Sequence, residues 1–275
     1  MALSVVDLYQ KVLPRTNCRD CGFLTCIAFA SMVVAEKYPL KNCPHIPPEL
    51  LEESQKELNE QYAAGKWLKR DMAQDALQWA KERAASMNIE DLPARIGGEL
   101  IEKDNEKILK LPYFTGFIFI RKGSVSKENG EPLNRWEQVF IYNHTAQGGS
   151  RMPVGKWKGL EGFPNTISKM KSMKSHVEDP LIERFSGDLK GLKAASLSLG
   201  GTDMTGNIES ADLAVLFYPL PKVPIMLMFW DEDKSEELGA RVKLLFDETV
   251  TEHLDIESIM FLSERLKQLL CGENG

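Results

Sequence analysis

Apolar residues recur at helical spacing in the first segment of the chain. Val5, Leu8, Val12 and Leu13 share one face of "VVDLYQKVL", Ser4 stands in position to cap it, and Pro14 ends it. A second helix is predicted from Thr25 or Cys26 to Tyr38, with Ile27, Ala30, Met32, Val33 and Val34 inward and Pro39 as its stop. The pair Pro47-Pro48 then reads as a domain boundary. Residues 49–88 keep the helical period through "PELLEESQKELNEQYAAG" and "KWLKRDMAQDALQWAKERAASM". In the second of these, Trp67, Leu68, Met72, Ala76, Leu77, Ala80 and Met87 fall on one face, with Lys and Arg opposite, which predicts a helical connector packed on something larger.

From about Pro93 the pattern changes to strands and turns, with Gly97-Gly98 at the shift. "YFTGFIFIRKGSV" (113–125) and "RWEQVFIYNHTA" (135–146) are aromatic and β-branched and flank Asn129-Gly130, so they are predicted to pair as a β-hairpin. A Gly-rich loop, 147–164, leads to a predicted helix over 165–186 capped by Asn165 or Thr166. "ADLAVLFYPL" (211–220) and "VPIMLMFW" (223–230) are predicted strands joined tightly through Pro221-Lys222. Prolines at 219, 221 and 224 favour an edge or bent strand, and Met226, Met228 and Trp230 alternate onto one side as core. A further strand is predicted over 240–250, and a terminal helix over 255–270 with Asp255 as its cap. The predicted class is α+β: a small helical domain over 1–48, a helical connector over 49–92, and a mixed α+β domain of about five strands over 93–275.

Composition changes this picture little: 275 residues, 43% hydrophobic and 27% charged, suit one large domain or two modest ones. A net charge of -6 argues against a general nucleic-acid surface. The basic stretch "SKMKSMKSH" (168–176) is short and flanked by acids, and reads as a solvated helix face. No signal-peptide pattern is visible at the N-terminus, and no apolar run approaches the roughly 20 residues of a membrane span. The expected location is the cytoplasm, where thiols stay reduced.

That expectation bears on Cys18, Cys21, Cys26 and Cys43, spaced C-x2-C-x4-C-x16-C. Zinc sites usually come as two separated pairs, whereas three clustered thiolates and a remote fourth suit the corners of a 4Fe-4S cluster. Gly22 permits a tight turn after Cys21, and Cys26 opens a helix whose N-terminal dipole favours thiolate and cluster charge. Ile27, Phe29 and Ala30 are placed to shield the far side, and Cys271 reads as incidental.

These residues carry a resemblance. "LPRTNCRDCGFLTCIAFA" with "KNCP" is similar to the small 4Fe-4S domain of the corrinoid iron-sulfur protein large subunit and of the Rnf electron-transport complex B subunit, over about residues 3–48. It implies the same four cysteines as ligands. Arg19 and Asp20 depart from the pattern, standing where a small residue or glycine is frequent. In the corrinoid protein the cluster domain reductively reactivates an oxidised cobalt centre, so the resemblance implies a corrinoid, or another tetrapyrrole such as haem, as cofactor or on a partner. "YNHTAQGGS", "GKWKG", "FPNTISK", "LPKVPIMLMFW" and "LLFDETVTEHLD" resemble a domain family of anaerobes, of unknown function, often fused behind this cluster domain. That second resemblance implies no activity.

Candidate chemistry in the larger domain rests on a few residues. His144, at the end of a predicted strand, opens the loop with Gly148, Gly149 and Ser150; it is a candidate axial ligand or proton donor, or simply a satisfied turn residue. The loop is neither a P-loop nor G-x-G-x-x-G. Trp157, Asn165, Lys169 and His176 follow, and helical spacing aligns the last three toward one cleft or toward solvent. "LGGTDMTGN" (199–207) is a second glycine loop, read as a plain turn, and "DED" (231–233) as a surface acidic turn. The leading expectation is a redox protein that relays single electrons to a redox partner, a corrinoid protein or a bound cofactor. The alternatives are an enzyme using His144, Lys169 or His176, and a scaffold with a structural or oxygen-sensing cluster.

Overall fold

Ser4 caps the first helix as its side chain predicts, accepting from the Asp7 amide while Asp7 reaches back to the Ser4 amide. In the computed structural model that describes residues 3–64, 72–103, 105–208, 211–233 and 238–273, the chain falls into two compact units, residues 1–72 and 73–275.

The smaller unit holds α1 (Val5–Asp7, continued as a π-turn over Leu8–Val12), α2 (Cys26–Glu36) and α3 (Pro48–Ala63). Thr25 caps α2, accepting from Ala28 N at 3.2 Å, and Lys37 closes it in the left-handed conformation at φ 55°. The inward face of α2 is Cys26, Phe29, Ala30, Val33 and Val34, packed on Leu8, Leu40 and Leu58. Ile27, expected inside, is 45% exposed, because it lies one residue off the i, i+3, i+4 stripe that Cys26 and Phe29 set.

In the larger unit α4 (Met72–Ala85) and α5 (Leu92–Ile96) precede a four-stranded antiparallel meander, β1 (Glu99–Lys103), β2 (Glu106–Tyr113), β3 (Gly116–Arg121) and β4 (Ser124–Lys127). Residues 49–92 thus contribute a helix to each unit, Leu58 entering one core and Leu77 and Ala80 the other. Trp67 and Leu68 lie outside the described residues. The predicted hairpin is corrected here: β3 pairs with β2 and β4, and 135–146 is a helix, α6 (Arg135–Gln147). Asn134 and Glu137 form a reciprocal cap at its start. Val139 to Thr145 are all buried, so the helix has no polar face to show a 3.6-residue period and its composition mimics a strand.

The second sheet is β5 (Trp157–Gly159), β6 (Thr202–Asp203), β7 (Leu213–Leu220), β8 (Val223–Trp230) and β9 (Arg241–Asp247), in the order β5-β9-β8-β7-β6. Between them run α7 (Ile167–Met173), a π-turn over Lys174–Glu178, α8 (Asp179–Phe185) and α9 (Leu189–Ser198); α10 (Val250–His253) and α11 (Ile256–Cys271) close the chain. The α+β class holds, and the expected five strands describe one of its two sheets. The proline-bearing strands are not at the edge: β8 is central and buried from Val223 to Phe229. The prolines are tolerated because the β7–β8 register shifts between Phe217 and Leu220, and Pro224 precedes the first β8–β9 partner, Ile225. Val223, Ile225, Leu227 and Phe229 enter the main core, while Met226 and Met228 pack on the opposite face beside Ala214. Asp255 caps α11, accepting from Ser258 N at 2.7 Å.

Candidate metal centre

The loop before α2 is curled by left-handed backbone at Arg15, Asn17, Arg19 and Gly22, with φ of 60°, 52°, 71° and 85°. Gly22 N donates to Arg19 O at 2.8 Å, closing a turn directly after Cys21. A Cβ at Gly22 would meet nothing within 4 Å, so the glycine is there for its conformation alone. Arg19 occupies a backbone position that glycine would hold without strain, which is where the chain departs from the pattern it resembles. Asn17 Oδ1 accepts from the Cys26 amide at 2.8 Å, tying the loop to the first turn of the helix.

Cys26 and Cys43 belong to one core cluster of the smaller unit, and Cys21 packs against it. Cys18 is exposed, Cys21 half-buried, and Cys26 and Cys43 are buried; none is in a disulfide. Burial pushes the Cys43 thiol up, the His45 amide hydrogen bond counters part of this, and negative charge on Cys21, Cys26 and Cys18 pushes it further up. Cys43 is thus within electrostatic reach of the other three cysteines of the motif, and four soft sulfur donors in one small unit suit a thiophilic metal centre. The donor set fits an iron–sulfur cluster. Beside it, Cys18, Asp20 and His45 place a sulfur, a carboxylate oxygen and a ring nitrogen within 4.8 Å of one another, with Asp20 Oδ2 2.6 Å from His45 Nε2. The His45 contact, then that with Cys18, holds the Asp20 carboxyl below its ordinary range. The sequence flagged Asp20 but not His45, which lies 25 residues away along the chain.

The candidates in the larger unit do not converge. His144 is not at a strand end but in the last turn of α6, fully buried. Its Nδ1 lies 3.1 Å from the His253 carbonyl oxygen, and His253 Nε2 lies 3.0 Å from that of Arg151. Burial depresses both rings, His144 to about 4, so both are neutral at pH 7. Around them Arg95 donates to the carbonyls of Gly148 and Ala146, and the buried Lys222 donates to those of Ala94, Arg95 and Ser150. This polar cluster, invisible in the sequence because its members are scattered, stitches α5, α6 and the glycine loop together.

The loop itself is packed. A Cβ at Gly148 would stand 2.3 Å from Ile96 Cγ2, and Gly149 N donates to Glu252 O at 3.2 Å. Trp157 packs with Met226 and Met228, and Asn165 sits at φ 62° before the helix begins. Thr166, at the cap position, donates to Phe163 O instead of accepting from the helix. Lys169 is paired with Glu257, and His176 Nδ1 is 3.2 Å from Glu264 Oε1 with its ring 62% exposed. The π-turn over Lys174–Glu178 breaks the register that was to align Asn165, Lys169 and His176. The second glycine loop is a packed turn as well: a Cβ at Gly201 would meet Val215 Cγ1 at 2.5 Å.

Comparison with known proteins agrees with this division. A family described as "Putative Fe-S cluster" matches residues 13–45, and the family described as "Domain of unknown function (DUF3786)" matches residues 88–269. The gamma subunit of the acetyl-CoA decarbonylase/synthase complex of Methanocaldococcus jannaschii is 34% identical over 58 residues, 21% of this chain and 12% of that protein. The corrinoid/iron-sulfur protein large subunit of Moorella thermoacetica is 39% identical over 46 residues, 17% of this chain and 10% of that protein. The chain thus spans only a small part of either relative. No solved structure matches. No helix among the described residues is long and apolar enough to cross a membrane. With well over half of its length matched, the chain belongs to the family described as Domain of unknown function (DUF3786), with an iron–sulfur domain ahead of it.

Proposed function

We propose that Cys18, Cys21, Cys26 and Cys43 hold a 4Fe-4S cluster and that the protein passes single electrons to a partner protein, with a corrinoid or other tetrapyrrole as the first acceptor to test. When bound, such a cluster supplies one-electron redox chemistry. The observation that carries the reading is the spacing of three near cysteines and one remote, none of them in a disulfide, with Cys26 and Cys43 in one core cluster and Cys21 packed against it. The chain's own residues set the environment: Cys26 and Cys43 are buried in one core cluster with Phe29. Cys18 and, in the same loop, Leu24 are exposed, which leaves surface for electron exchange. The two relatives are named as subunits of corrinoid or acetyl-CoA assemblies, which supports a protein partner.

The test is direct. Protein reduced anaerobically with dithionite and freed of excess reductant should convert hydroxocobalamin to its Co(II) form, in an amount that tracks iron content, followed by absorbance. A Cys26→Ala variant should lose this activity. Iron-loaded, reduced protein that leaves the cobalt oxidised contradicts the corrinoid acceptor; protein with no reducible cluster contradicts the whole reading.

A further inference from the structure

The larger unit contains a cleft of about 440 Å³ between α4, the segment 87–92, the β3–β4 turn and α6. Its size lies within the ~300–1,000 Å³ of pockets that enclose small molecules. Met87, Leu92, Ile120 and Tyr142 present apolar surface to it, and Leu92, Ile120 and Tyr142 belong to the buried core, which fixes the floor. The Tyr142 hydroxyl donates to the Gly123 carbonyl at 3.3 Å, holding the turn that forms one wall.

The charge on the rim is unlike that of the rest of the chain. Among the described residues, Lys81, Lys107, Arg121 and Lys122 line the cleft against a single carboxylate, Glu106, in a protein whose formal net charge is -6. Lys107 is paired with Glu90, and Arg121 Nε lies 3.8 Å from Glu106 Oε2. Lys81 and Lys122 have no carboxylate partner among the described residues. Lys81 Nζ stands 5.8 Å from the centre of the Tyr142 ring, so this free cation and the apolar floor are contiguous. Unpaired ammonium groups beside a concave apolar surface match a ligand that is apolar at one end and acidic at the other.

We propose that this cleft binds a small organic anion, its apolar body over Met87, Leu92, Ile120 and Tyr142 and its acidic oxygens held by Lys81 and Lys122. The site stands on residues remote in sequence from the cysteines and does not depend on the cluster reading.

Isothermal titration calorimetry on the full chain tests this, with 8-anilinonaphthalene-1-sulfonate as the probe and N-phenyl-1-naphthylamine as its uncharged counterpart. The sulfonate should bind at one site. The double variant Lys81→Gln, Lys122→Gln should weaken it by at least about tenfold, since two charge-assisted contacts are lost. The control Lys190→Gln, on the exposed face of α9, should leave affinity unchanged, and the uncharged counterpart should bind native protein more weakly than the sulfonate. Absence of binding to native protein, equal affinity in the double variant, or equal binding of the uncharged compound would each overturn the proposal.

Discussion

In the smaller unit the residues that close the core are also the ones with candidate chemistry: Cys26 and Cys43 pack with Phe29, Val33 and Leu40, and Cys21 packs against them. In the larger unit the two are separate. Its core is built from the apolar faces of two sheets and α11, and its buried titratable groups, His144, His253 and Lys222, contact backbone carbonyls, with His144 Nε2 and His253 Nδ1 left without a partner among the described residues. A unit of about 70 residues is of the size at which a bound metal commonly adds to a small core. A unit of about 200 residues with a continuous core stands without one. The lesson is that the same burial means different things: in the smaller unit it gathers sulfur donors into the core, and in the larger it holds His144 neutral between α6 and the His253 carbonyl.

The largest expected effect is loss of the small unit on removal of iron. After chelation under mild oxidation, hydrogen exchange at the amides of α2 and α3 should rise by orders of magnitude, while β7, β8 and β9 keep their protection. Retained protection in α2 would break the contrast. The converse is Phe229→Ala, which should cost the larger unit about 3–5 kcal/mol in urea unfolding and leave iron content unchanged.

Acid provides a third test. The unfolded histidine binds a proton at about 6.5 but the buried His144 only at about 4, so below pH 6.5 the unfolded state holds more protons. Stability from this group is complete above pH 6.5 and falls as pH drops toward 4, by about 3 kcal/mol in all. His253 is shifted in the same direction and adds to the loss. Unfolding measured against pH should show a shallower slope in His144→Gln than in native protein; an equal slope would mean the ring is hydrated or charged in the fold. The smallest effect is expected from Gly22→Ala, about 1 kcal/mol against the smaller unit, read by its melting temperature, because only the left-handed backbone is penalised.

How much of this the sequence carried follows the same divide. Caps at Ser4 and Asp255, the helix start at Thr25 or Cys26 and the stop at Pro14 are local signals, and each marks a local structure. Helix α6 was misread because burial on every side erased its period, although Asn134 and Glu137 had spelled out its cap. Strands β1 and β2 went unnoticed because Glu99, Lys103, Glu106 and Lys107 make them look like solvated chain. The contacts between His45 and Asp20, 25 residues apart, and between His144 and His253, 109 apart, are products of the fold, and no short window of residues contains them.

The central claim rests on one determination: iron and acid-labile sulfide per chain in anaerobically purified protein, with electron paramagnetic resonance after dithionite reduction. The account predicts about four of each per chain and a signal from a one-electron-reduced cluster, both lost in Cys26→Ala. Zinc in place of iron, or a Cys26→Ala variant that still holds about four irons, would contradict it.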